Sequence, residues 1–456
     1  MTKDWIVVIG LILLVFGEPS TLADTAIENR LDVASEQTKV EGQFLPHRGA
    51  TSSGHIAADN LFENAQVCGS CHQDIYQEWQ SSIMANAWED PIYRALLKET
   101  SIATQGATDN FCSGCHSPVG LMSGRISQDL VRSEQEEKSP LPGVDCEACH
   151  RMSAISGLEN GSYVLDVSTD VKTKYGPRSD ASSPYHNTQF SPLHTQSKFC
   201  ASCHNVSHPF NELPIERTYD EWYESSYRTR GIECQDCHMT RVNSQAAIIG
   251  PVREDRITHN FAAANTTILK HFGYDENAER ARDLLRSSAT LAFEDMPDYV
   301  RDQSFISFGI KVLNSGAGHK LPTGFPEGRE IWLDMQVTDA KGTEIYRLGA
   351  VKDGKTEAGT RNFKVHLGDS DGQEVDIEVW RVDRILSDNR IMPMGHALEE
   401  FQFYLPRAVE GPITISARLN YWPFSQALAD RLLGEGKITV DIEQIAEISQ
   451  QLLVSE

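Results

Sequence analysis

The stretch Cys146-Glu147-Ala148-Cys149-His150 (CEACH, 146–150) decides how the rest of this chain is read. Cysteines at i and i+3 share one face of a helical turn, so their sulfurs stand side by side, and the histidine that follows is carried beneath them. The pattern recurs as CGSCH at 68–72, CSGCH at 112–116, CASCH at 200–204 and CQDCH at 234–238, and the five copies use all ten cysteines. Five disulfides would need no histidine at a fixed position, and bridges closing such tight loops add little stability. Zinc ribbons take Cys-x-x-Cys in pairs, and five copies leave one unmatched. The remaining reading is covalent attachment of c-type haem. Cys68, Cys71, Cys112, Cys115, Cys146, Cys149, Cys200, Cys203, Cys234 and Cys237 are then the thioether residues, and His72, His116, His150, His204 and His238 the proximal iron ligands of five haems.

Such groups are attached outside the cytoplasm, and the N-terminus agrees. MTKDWIVVIGLILLVFGEPSTLAD carries Lys3, an apolar run from Trp5 to Phe16 and the small-residue site Thr21-Leu22-Ala23, so residues 1–23 read as a signal peptide. The run is short for a bilayer span. The expected location is the periplasm or the cell surface, with no integral membrane span in the mature chain. A formal charge of −24 disfavours nucleic acid and suits redox protein partners with basic docking faces, although acidity also serves solubility.

Residues 24–60 show little periodicity and read as an arm or linker. Residues 61–296 read as a pentahaem cytochrome c domain. From Cys68 to His238 there are 171 residues for five haems, roughly 34 each, so the macrocycles must themselves form the core of a region of short helices, loops and few strands. DENAERARDLLRSSATLAF (275–293) places Ala278, Ala281, Leu285, Ala289 and Ala292 on one helical face. Beyond Pro297 the period drops to two: Ile331, Leu333, Met335 and Val337 alternate with Trp332, Asp334 and Gln336, and Ile413, Ile415, Ala417 and Leu419 with Thr414, Ser416 and Arg418. With the runs Phe308/Ile310/Val312 and Phe401/Phe403/Leu405, residues 297–456 predict a β-sandwich, and the chain an α+β fold.

The segments ERTYDEWYESSYRTRGIECQDCHM (216–239), RITHNFAAAN (256–265), SPLHTQSKFCASCHNV (191–206) and GAGHKLPTGFPEGREIWL (316–333) carry a resemblance. They are similar to multihaem c-type cytochromes related to the tetrahaem electron carrier of ammonia oxidation and to hydroxylamine oxidoreductase, in the subset with a C-terminal β domain. The resemblance covers most of residues 60–420. It implies electron transfer through closely stacked, mostly bis-histidine haems. His259 matches an iron-ligating position of that family. His319 sits in a stiff Gly/Pro loop suited to presenting an imidazole, and one or both of His186 and His194 should ligate. His208 reads as a neighbour of a ligand or an exposed residue, His47 and His55 as arm residues within reach of a haem, and His271, His366 and His396 as structural or surface residues. Similar cytochromes carry Trp-x-x-Ser-x-His-Ala-x-Ala after the first motif, the histidine being an axial ligand. Here Trp79, Ser82, Ala85 and Ala87 match, while Met84 stands at the histidine position. That ligand is either changed or missing, and a thioether there would raise the potential of its haem.

Three functions fit these features. The first is an electron carrier with no substrate; the second is an oxidoreductase acting on a small nitrogen or sulfur compound at an open iron; the third is a self-assembling haem-filament subunit.

Overall fold

Each Cys-x-x-Cys-His motif forms helical turns, as its spacing predicts. The computed structural model describes residues 43–133, 141–168, 173–325 and 327–455, so the expected signal peptide and most of the arm lie outside the described residues. The motif helices are α1 (Ala65–Gly69), α3 (Asp109–His116), α4 (Cys146–His150), α5 (Lys198–Ala201) and α7 (Cys234–His238), and between them run α2 (Pro91–Ala103) and α6 (Thr218–Tyr223). Where the assigned helix stops inside a motif, the helical bond persists: His72 N donates to Cys68 O and His204 N to Cys200 O, both at 2.9 Å. Local caps start these short helices. Asp145 accepts from Ala148 N at 2.8 Å, and Asn64 from Gln66 N at 2.9 Å. Glu233, capping α7, also takes the backbone N–H of Ser197 at 2.7 Å, which ties the fourth and fifth motifs together.

Short two-stranded ladders flank the motifs, Thr173–Gly176 with Asn187–Phe190 between the third and fourth and Arg241–Gln245 with Val252–Ile257 beyond the fifth. Within the stretch read as an arm, Phe44 and His47 are buried, and Ala50–Thr51 pairs in parallel with Val164–Leu165.

Helix α8 spans Asp275–Ser288 and buries Ala278, Ala281 and Leu285 on the face predicted. The same prediction fails at its end. At Ala289 the backbone turns extended (φ −143°, ψ 158°), and β1 (Ala289–Glu294) pairs antiparallel with β3 (Ser304–Asn314), so Ala289 and Ala292 belong to a strand. Alanine is indifferent to the choice, and the ladder with β3 decides it.

The C-terminal region is rich in strands. One sheet has the order β1, β3 and β7 (His396–Leu405). The other runs β2 (Tyr299–Arg301), β9 (Glu443–Ser455), β8 (Ile413–Trp422), β4 (Glu330–Thr338) and β5 (Glu344–Leu348), with β6 (Arg361–Phe363) also on β4. The alternating residues read from the sequence meet in a single apolar cluster: Phe308, Ile310 and Val312 from β3, Ile331 to Val337 from β4, Phe401 to Leu405 from β7, and Ile413 to Leu419 from β8. Leu285 of α8 joins that cluster, so the motif-bearing region and the strands share packing. Among the described residues no helix is long and apolar enough to cross a membrane.

Candidate multihaem site

One continuous cavity of about 1330 Å³ is lined by all ten cysteines and all five motif histidines, together with Met84, His186, His194, His259 and His319. Ordinary small-molecule sites run to about 1000 Å³, so this volume suits several large groups. The cysteines also bring the motifs together. The thiols of Cys68 and Cys146 neighbour each other within hydrogen-bonding reach, as do those of Cys115 and Cys203 and those of Cys200 and Cys234. The first motif thus adjoins the third, the second the fourth, and the fourth the fifth.

Four motif histidines have their Nδ1 tied to a backbone carbonyl: His72 to Ala246 at 2.6 Å, His116 to Ala87 at 3.0 Å, His150 to Tyr175 at 2.7 Å and His238 to Ala262 at 2.6 Å. A proton on Nδ1 donating to a carbonyl leaves Nε2 as a free lone pair, the tautomer a metal ligand needs. His204 differs, with Nδ1 standing 3.8 Å from the Glu216 carboxylate. Burial lowers its pKa, and Glu216 more than reverses the effect, leaving it raised.

Two imidazoles gripping one metal from opposite sides have ring centres roughly 6.2 Å apart, from bonds of about 2.0 Å and about 1.1 Å from each nitrogen to its ring centre. Three pairs meet that spacing: His72 and His186 at 6.3 Å, His150 and His259 at 6.4 Å, and His238 and His319 at 6.3 Å. Nδ1 of His186 faces its neighbour's carbonyl at 3.0 Å and that of His319 at 2.9 Å, again sparing Nε2. Burial holds His259 at about 3 and His319 at about 4, well below the ordinary value, so both are neutral at physiological pH. These residues fit the group that the motifs imply.

His194 stands closer to His150, at 5.8 Å, and its Nε2 meets the Cys149 carbonyl at 3.0 Å. Met84 is half-buried on the cavity wall; its carbonyl accepts from Val144 N at 2.9 Å and Ala87 N at 3.3 Å. Among the described residues, His116 and His204 face no histidine at the spacing of the three pairs. His116 instead stacks on Tyr93, ring centres 3.6 Å apart and planes 1° from parallel. His208 is buried, its Nδ1 accepting from Asn211 N at 3.3 Å. His47 is buried against Gly114, whereas His55, His271 and His396 are exposed. His366 pairs with Glu374 at 2.6 Å.

Sequence reasoning missed the carboxylates that hold two of the facing histidines. Glu78 accepts the His259 backbone N–H at 3.0 Å while pairing through both oxygens with Arg256. Glu221 of α6 accepts Lys320 N at 3.2 Å, one residue beyond His319. Nothing in the local pattern marks either glutamate, because both act across a long sequence separation.

Residues 67–151 match the family model described as cytochrome c554 and c-prime. The solved structure of a penta-haem cytochrome c552 from Thermochromatium tepidum aligns at a TM-score of 0.61 and 18% identity, over 86% of this chain and 99% of that one. At that identity the likeness is one of fold. A sporulation control protein from Bacillus subtilis (TM-score 0.17, 10% identity, 37% of this chain and 50% of that one) and a CARDB domain from Pyrococcus furiosus (0.17, 11%, 37% and 86%) align too poorly to bear on it. No curated protein matches the chain.

Proposed function

We propose that this chain is an exported electron-transfer protein that binds five c-type haems through its five motifs and passes electrons between redox partners. The observation that carries the reading is the set of three facing histidine pairs inside one cavity lined by every cysteine. In it, His72 with His186, His150 with His259, and His238 with His319 would each hold one iron, and the ten cysteines would anchor the haems through thioethers. Bound haem supplies a one-electron couple, and two neutral nitrogen ligands hold an iron low-spin with no position left for substrate. The chain's own part is to hold each imidazole in one tautomer and to set neighbouring motifs side by side, the first with the third, the second with the fourth and the fourth with the fifth. The strand-rich region, proposed as a sandwich spanning 297–456, contributes His319 to the last pair.

A second reading, an oxidoreductase for a small nitrogen or sulfur compound, draws on the second and fourth motifs, where no histidine faces His116 or His204 at ligand spacing. Mass spectrometry with electron paramagnetic resonance of the ferric protein tests the proposal. Five haem additions and a predominantly low-spin spectrum are expected. Fewer additions after confirmed export would refute the haem count. A high-spin fraction that turns over nitrite or hydroxylamine would move the assignment to the enzyme.

A further inference from the structure

Four charged side chains close a ring around the loop that presents His319. Glu221, on α6 in the motif-bearing region, sends one carboxylate oxygen to Lys320 N (3.2 Å) and the Thr323 hydroxyl (2.8 Å). Its other oxygen lies 2.9 Å from Arg390 Nη1, and both side chains are only 5% exposed. Arg390 in turn grips Asp388 through Nε (2.9 Å) and Nη2 (2.8 Å), and Asp388 accepts from Lys320 Nζ at 2.7 Å. The ring therefore starts on a helix of the motif-bearing region, crosses to the strand Arg384–Asp388 and its continuation, and returns through the residue next to His319. Asn314, at the end of β3, adds a bond from its amide to the His319 carbonyl at 2.9 Å.

Stability alone is a poor reason for this arrangement. Desolvating four charges is costly, and apolar replacements of equal volume often serve stability as well or better. What directed charge pairs supply, and apolar packing does not, is a fixed direction. A ligand side chain must be held within about 0.5 Å and 10–20° of its working position, and a Gly/Pro loop has no regular hydrogen bonding of its own to do so.

We propose that Glu221, Arg390, Asp388 and Lys320 are positioning residues that fix His319 opposite His238, so that this lock between the two regions sets the ligation state of the haem at 234–238. The inference rests on His319 being an iron ligand. Opening the lock releases the imidazole and exposes a coordination position at that one haem, leaving His72/His186 and His150/His259 as they were.

The test uses the full-length, haem-loaded protein in parallel with His319→Ala. Glu221→Gln keeps the shape and removes the charge. It should give a new high-spin ferric signal amounting to one haem in five beyond the wild-type level, reversed by added imidazole, with haem content by mass unchanged. If His319→Ala leaves the spectrum as it was, both the ligand reading and the lock fall. If His319→Ala yields the high-spin haem but Glu221→Gln keeps the wild-type spectrum and potential, the lock alone is overturned. Should Glu221→Gln fail to load its haems, Thr323→Val removes the hydroxyl's bonds to Glu221 and Thr218 and no charge. Imidazole binding at that iron about tenfold faster than in wild type then supports the lock, and an unchanged rate overturns it.

Discussion

His47 leaves no room beside it for one more carbon. Its ring is buried between Gly114, inside the second motif, and Gly161, and a Cβ built on Gly114 would lie 2.1 Å from His47 Cδ2. Gly161 carries a positive φ of +75°, and a Cβ there would fall 1.7 Å from Nε2, so glycine is required twice over. Burial lowers the His47 pKa to about 3, and Nδ1 accepts the Gly49 N–H at 3.0 Å, which keeps the ring neutral. The sequence placed His47 in an arm because nothing around it is periodic; its niche is made by residues far along the chain. Gly114→Ala should cost about 2 kcal/mol by overpacking and disturb the helix that carries His116. His47→Ala should recover most of that loss in the double variant, read from denaturation midpoints and haem content. Losses that simply add would remove the proposed contact.

At the scale of elements, hydrophobic period was a sound guide and chain continuity was not. The strands β3, β4, β7 and β8 lie where alternation put them, because one face of each is buried in a shared core. The run through Ala289 and Ala292 fits a helix equally well on paper, and only the pairing with β3 turns it into a strand. The motif histidines were legible from five residues each, and His186, His259 and His319 stood among the candidates for facing them; which motif each one faces was not legible, since that depends on loops brought together in space, in part by Glu78 and Glu221. The strand Arg384–Asp388 shows what such a link contributes. Burial pushes the Asp388 carboxyl up, but its bonds to Arg390 and Lys320 outweigh this and hold it well below the ordinary range. An acid with a depressed folded-state pKa stabilises fully above its unfolded value near 4 and loses that contribution as pH falls toward the folded one. Asp388→Asn should therefore cost about 1 kcal/mol at pH 7, since solvent screens this partly exposed carboxylate, and its gap from wild type should narrow as pH drops below about 4. Urea midpoints across that range check it; a gap independent of pH would show that the ion pairs contribute little.

For the whole molecule, the placement of the facing histidines divides the five motifs into two classes. The first, third and fifth have a facing histidine at 6.3, 6.4 and 6.3 Å, while the second and fourth, whose Cys115 and Cys203 thiols adjoin, have none at that spacing among the described residues. A haem held between two imidazoles exchanges a ligand only after one leaves, whereas an iron with a weak or missing sixth ligand takes an added one directly. Cyanide added to the ferric protein at neutral pH should thus bind rapidly at no more than two of the five haems, leaving three low-spin signals unchanged. The pattern of variants should follow the map: His186→Ala, His259→Ala and His319→Ala each raise the rapid count by one, and Met84→Ala raises it by none if that side chain only lines the wall. Rapid binding at three or more haems in the wild type would break the assignment of the facing pairs. Rapid binding at none would mean that Met84, His194 or His208 reaches an iron, completing the row as a carrier closed to substrate at every position.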